Sequence, residues 1–111
     1  MKVTIIDYGL SNLLSVQHAF AHFGAETLVT DKAADMAAEA LVLPGVGAFR
    51  DGMNGLEKLG LVEPIRQKAA AGTPLLGICL GMQMLFDESE EFGLHAGLGL
   101  IPGRVVKIPD T

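Results

Sequence analysis

Apolar residues recur along this chain in two rhythms, one of period two and one of a helical turn, and the switches between them outline its elements. Lys2-Val3-Thr4-Ile5-Ile6-Asp7 is a short β-branched run closed by the turn-like Asp7-Tyr8-Gly9-Leu10-Ser11-Asn12, which predicts a first strand. From Leu13 the apolar residues fall at Leu13, Val16, Phe20 and Phe23, one face of a helix, and Gly24 sits where a C-terminal cap belongs. Ala25 to Val29 predicts a second strand, Asp31 to Glu39 a short alanine-rich helix, and Ala40-Leu41-Val42-Leu43 a third strand stopped by Pro44. Phe49, Met53 and Leu56 form another helical face that ends near Gly60. Pro64 suits an early position of the next helix, which carries Ile65 and Ala69 and ends at Gly72. Thr73-Pro74 leads into a fourth strand, and Met82 to Phe86 predicts the helix behind it. Gly93 to Gly103 reads as a glycine-rich connection, and Arg104-Val105-Val106-Lys107-Ile108 as a last strand before Pro109.

Strands and helices alternate in this reading without hairpin signals. Parallel neighbours need crossovers, and the helices supply them, so the expected fold is α/β: a mostly parallel, flavodoxin-like sheet with helices on both faces. With 111 residues, half of them hydrophobic, and no linker or low-complexity stretch, residues 1–111 belong to one domain. Thirteen acidic residues against 8 basic leave a net charge of −5 and no basic stripe, which argues against nucleic acid as a partner. The lone cysteine cannot form an internal disulfide, and the N-terminus is strand-like rather than a charged leader, so a soluble cytoplasmic protein is expected.

Chemistry concentrates at Pro74-Leu75-Leu76-Gly77-Ile78-Cys79-Leu80-Gly81-Met82-Gln83, where an apolar strand runs into a cysteine and then a helix. A nucleophile held at a sharp strand-to-helix turn needs small residues two before and two after it, and Gly77 and Gly81 occupy those places. The turn sets the sulfur at a helix N-terminus, whose unpaired N–H groups favour negative charge. A lone cysteine is otherwise a buried core residue, and the paired glycines with Gln83 weigh against that reading. After the third strand, Gly45-Val46-Gly47 forms a flexible loop where open α/β sheets bind ligands; Arg50 stands where a dinucleotide fingerprint needs another glycine. Both loops lie at strand C-terminal ends, so Cys79 can attack a carbonyl carbon while backbone N–H groups take the developing oxyanion. His18 and His22, four apart on the first helix, project opposite its apolar face without further ligands, so no metal is expected. The acidic run Asp87-Glu88-Ser89-Glu90-Glu91 reads as a solvated helix end or loop without a role.

Gly77-Ile78-Cys79-Leu80-Gly81-Met82-Gln83 resembles the nucleophile motif of class I (triad) glutamine amidotransferases. Leu43-Pro44-Gly45-Val46-Gly47-Ala48-Phe49, with Ile6-Asp7-Tyr8-Gly9 and Asn12, is similar within that family to the glutaminase subunits of imidazole glycerol phosphate synthases, and the resemblance runs along the whole chain. It implies that Cys79 attacks the glutamine side-chain amide, forming a glutamyl thioester and releasing ammonia. It implies oxyanion donors at the N–H groups of Leu80 and, through a peptide rearrangement, Val46, and a glutamine pocket lined by Gly47 and Gln83. It also implies that Asn12 meets a partner, a (β/α)8-barrel cyclase subunit that consumes the ammonia in histidine biosynthesis, and that no cofactor is needed. Ser11, often glycine in the family, is a tolerated variation.

One departure is large. The family completes a Cys-His-Glu triad with a downstream His-Pro-Glu motif, and none of His18, His22 and His95 lies in such a motif. The resemblance therefore implies that residues 1–111 are the N-terminal part of a single amidotransferase domain, with a fold incomplete at its C-terminus. Two other readings stand beside it: a non-catalytic fragment that folds and self-associates through an open sheet edge, and a small cysteine hydrolase, which would need a base absent from this sequence.

Overall fold

The computed structural model describes residues 1–10 and 12–109; Ser11 lies outside the described residues. Four parallel strands form the main sheet: β1 (Lys2–Ile6), β2 (Glu26–Thr30), β3 (Ala40–Leu43) and β4 (Leu75–Gly77), in the order β2-β1-β3-β4. Their side chains alternate between two covered faces, as a parallel sheet between helices requires. Val3 and Ile5 of β1 and Val42 of β3 point to α1 (Leu13–His22), where they meet Leu13, Val16 and Phe20. Ile6, Leu41 and Leu43 point the other way, into a larger core with Phe49, Met53 and Leu56 of α2 (Phe49–Lys58), Ile65 of α3 (Val62–Ala70), and Leu80 and Met84 of α4 (Leu80–Met84). Gly24, Gly60 and Gly72, all at positive φ, follow the ends of α1, α2 and α3.

The chain winds from β1 outward to β2 and then crosses to β3 on the other side of β1. The sheet thus reverses direction between β1 and β3, a place where open α/β sheets bind ligands beyond the strands' carboxyl ends. Registers of Ile5 with Val42 and of Leu43 with Gly77 bring the segments leaving β1, β3 and β4 to the same edge.

Several elements differ from the sequence expectation. Only a single 3-10 turn, Ala33–Asp35, replaces the helix expected over Asp31 to Glu39. Met36 is the one residue of that stretch in the core, too little apolar surface to hold a helix, while Thr30 Oγ1 donates to Asp35 Oδ2 at 2.7 Å and fixes the turn locally. Phe23, assigned to the apolar face of α1, is 86% exposed, with its ring edge-to-face against His22 at a centroid distance of 5.1 Å.

The helix after the elbow ends at Met84 rather than Phe86, because the returning chain takes its last carbonyls: Leu98 N–H donates to Met84 O, and the N–H groups of Leu100 and Ile101 to Leu85 O. The acidic run is part of a strand, β5 (Phe86–Ser89). It pairs antiparallel with β6 (His95–Ala96) and parallel with β7 (Ile101–Val105), so an antiparallel pairing does occur and the connection after Gly93 is partly strand. The last strand ends at Val105, short of Ile108. Arg104 bridges Glu88 and Glu90 at 2.6 and 3.0 Å, offsetting the charge that made the run look solvated. No helix among the described residues is long and apolar enough to cross a membrane.

Candidate active site

Three strand ends build the site. From β4 the chain turns through Ile78 and Cys79 into α4, and Cys79 takes φ 54° and ψ −117°, a left-handed conformation shared among described non-glycine residues only by Phe92. Such a backbone costs about 1–3 kcal/mol and persists only where its surroundings impose it. Here the constraint is visible: Ile78 N–H donates to Leu43 O at 3.0 Å, Gly81 N–H to Ile78 O at 2.9 Å, and Gln83 N–H to Cys79 O at 3.1 Å. A Cβ on Gly77 would lie 2.7 Å from Met82 Cα, and one on Gly81 would overlap the Leu43 carbonyl, 2.6 Å from its carbon. The turn therefore closes only with glycine at both places, and it leaves Cys79 exposed.

The β3 end supplies the facing loop, Pro44 to Gly47. Leu80 N–H, the first donor of α4, points at this loop and is taken by Gly45 O at 3.1 Å, while Val46 N–H donates to Leu10 O at 2.8 Å. Both N–H groups expected to receive an oxyanion are thus engaged within the protein, and one peptide, Gly45–Val46, holds them both. Val46 and Gly47 are exposed, Gly47 at φ 110° with open space around its Cα.

From β1 come two residues that hold the loop. Leu10 accepts from Val46, and the buried Tyr8 hydroxyl donates to Pro44 O. Burial pushes the Tyr8 phenol well above its ordinary range, so it remains a donor. Asn12 is exposed immediately before α1 and its side chain makes no capping bond.

Gln83 joins the elbow to a cavity of about 500 Å³, whose other walls include Ser89, Glu91, Phe92, Val106 and Lys107; Gly47 is not among them. Glu91 Oε1 also accepts from Phe49 N–H, the first residue of α2, at 2.9 Å. Tyr8 and Glu91 are the two residues to which sequence reasoning gave no role. The Tyr8 tie depends on a contact 36 residues away, and Glu91 was hidden in a charge run. Among the described residues no three His, Cys, Asp or Glu side chains gather to hold a metal, and His95 Nε2 lies 3.0 Å from Phe92 O.

A cysteine at a strand-to-helix elbow on a doubly covered parallel sheet defines a class of proteins, and comparison with known ones agrees. The family model for glutamine amidotransferase class-I matches residues 4–108, and the chain belongs to that family. Its relatives include imidazole glycerol phosphate synthase subunit HisH 1 of Legionella pneumophila (strain Lens), 58% identical over 97% of this chain and 51% of that protein. Subunit HisH of Syntrophotalea carbinolica is also 58% identical, over 96% of this chain and 52% of its own length. The chain thus spans about half the length of these curated relatives. In fold it is similar to a crystal structure of a glutamine amidotransferase, with TM-score 0.78, 19% identity, 93% of this chain and 55% of that one. A putative peptidase E from Listeria monocytogenes also matches, with TM-score 0.72, 16% identity, 90% of this chain and 62% of that one.

Proposed function

We propose that this chain carries the nucleophile half of a glutaminase that supplies ammonia to an imidazole glycerol phosphate synthase. The observation that carries the reading is Cys79 at positive φ between two obligatory glycines, facing a loop whose Gly45–Val46 peptide occupies the Leu80 N–H. In this reading Cys79 Sγ attacks the side-chain carboxamide carbon of glutamine and the carbonyl π pair moves onto oxygen. Collapse of that oxyanion expels the nitrogen, which leaves as ammonia once protonated, and water then opens the glutamyl thioester to glutamate. As folded, the oxyanion site is closed. Rotation of the Gly45–Val46 peptide breaks its bonds to Leu80 and Leu10 and turns Val46 N–H toward the place its carbonyl held. That gives the two donors such an intermediate needs. Gln83, with Gly47 at the loop end, borders the glutamine, and exposed Asn12 faces the (β/α)8-barrel cyclase partner.

The test is labelling with an electrophilic chloroketone analogue of glutamine. Cys79 is expected to form a single adduct, located by peptide mass spectrometry, faster than with the analogue one methylene shorter; equal rates for the two would count against a glutamine site. A second reading, a chain that folds without turnover and self-associates, draws on the outer edge of β4, unpaired among the described residues. Leu76 there is 50% exposed beside an apolar hollow lined by Met1, Phe20 and Pro74. Sedimentation at rising concentration separates the readings, and a persistent monomer retires the second.

A further inference from the structure

We infer that Tyr8 is a positioning residue: its hydroxyl tethers the Pro44 carbonyl, so that the loop's upstream end stays fixed and only the Gly45–Val46 peptide is left to turn. The fit around the ring is specific to this use. A Cβ on Gly45 would fall on the Tyr8 hydroxyl, so this glycine leaves room for the side chain, and a Cβ on Gly55 of α2 would lie 2.9 Å from the Tyr8 backbone oxygen, so that glycine lets the helix pack close against the Tyr8 main chain. Burial is graded along the loop in the same sense. Pro44 and Gly45 are buried under Tyr8, whereas Val46 is 59% exposed and Gly47 is exposed at φ 110° with nothing close to it. Pro44 adds a ring-locked φ at the tethered end. Without the phenol its carbonyl would be a buried acceptor lacking a partner, and Pro44 and Gly45 would shift to find water, carrying with them the carbonyl that covers Leu80 N–H.

The catalytic meaning of the tether rests on the glutaminase reading; the tether itself does not, and its test needs no glutamine. Native-state hydrogen exchange, followed by NMR, is compared between the protein and Tyr8→Phe. The amides of Val46 and Leu80 are expected to exchange about five- to tenfold faster, the effect of one neutral hydrogen bond. Asp7 and Leu41, whose N–H groups bond Thr30 O and Pro74 O in the sheet, are expected to keep their rates. Replacing Tyr8 with p-aminophenylalanine, which restores a donor at the ring tip, is expected to return Val46 and Leu80 to their original rates. Unchanged rates at Val46 and Leu80, equal acceleration at Asp7 and Leu41, an unfolded Tyr8→Phe, or no rescue would each overturn the inference. Failure of the chloroketone to distinguish chain lengths would instead remove the glutaminase reading and leave the exchange result standing.

Discussion

At the scale of single residues, the site is shaped by what glycine permits and by one buried phenol. A methyl group at position 81 would overlap backbone rather than a mobile side chain, so the strand end or the elbow must move. Gly81→Ala is expected to cost about 3 kcal/mol or more, read from the urea midpoint, and a midpoint equal to the parent's would mean that the elbow is not closed as described. Tyr8 gives a pH dependence of known sign. Its phenol is held above its ordinary value near 10 in the folded chain, so the native state binds more protons than the unfolded one above that pH. Its contribution is fully present below about pH 10 and falls at up to about 1.4 kcal/mol per pH unit above it. Tyr8→Phe should lack that part of the alkaline slope. The chain has a single tyrosine and no tryptophan, so phenolate absorbance reports this group alone; absorbance that rises with an ordinary midpoint before unfolding would contradict the burial.

At the scale of elements, the small sheet supports the large one. The turn after β5, in which Glu91 N–H donates to Ser89 Oγ, aims the Glu91 carboxylate at the first N–H of α2, the helix that begins where the loop from β3 ends. An acceptor and a negative charge at that end of a helix are both favourable. Glu91→Ala is expected to lose about 1 kcal/mol, and Glu91→Gln less, measured by thermal or urea unfolding; no difference between Glu91→Ala and the parent would show the bond to be idle. This is also the part of the molecule that the sequence conceals. The β-branched run at Val3 to Ile6, the spacing of Phe49, Met53 and Leu56, and Gly77 and Gly81 about Cys79 can be read directly, because each depends on neighbours within one turn or strand. The strand over Phe86–Ser89 depends on Arg104, 15 and more residues away, and on chain returning from Gly97 to Ile101. No local pattern records those partners, so Asp87 to Glu91 looked like solvated charge. Tyr8 was visible as a residue and silent as to use, for the same reason.

At the scale of the whole molecule, the three strand ends bring together the exposed Cys79 thiol, two engaged backbone N–H groups and one wall of a cavity. His18 and His22 lie on α1, across the sheet from α2 and α4, and His95 Nε2 lies within reach of Phe92 O. The 111-residue chain alone is therefore expected to release no ammonia from glutamine above a Cys79→Ala control. General acid–base help is worth about 10² to 10⁴-fold, and the cyclase partner of the proposed reading would bring a docking surface rather than an imidazole at Cys79. Ammonia assays with and without that partner check this. Turnover lost on Cys79→Ala would show that a base is present, and His95→Ala would be the next variant.

The overlap at Gly81 also has a genetic consequence. Every single-base change that alters a glycine codon yields alanine, valine, serine, cysteine, arginine, aspartate, glutamate, tryptophan or a stop, and each of those amino acids carries a Cβ. At Gly45, Gly77 and Gly81, where that carbon meets Tyr8, Met82 and Leu43, no point mutation offers a neutral step. In a randomly mutagenised library selected for folded product, only synonymous codons should survive at these three positions, whereas Gly24, Gly60 and Gly72, which have open space around them but take positive φ, should accept replacements only at the milder cost of a strained backbone, about 1–2 kcal/mol. Sequencing the survivors would map the elbow as a set of silent sites.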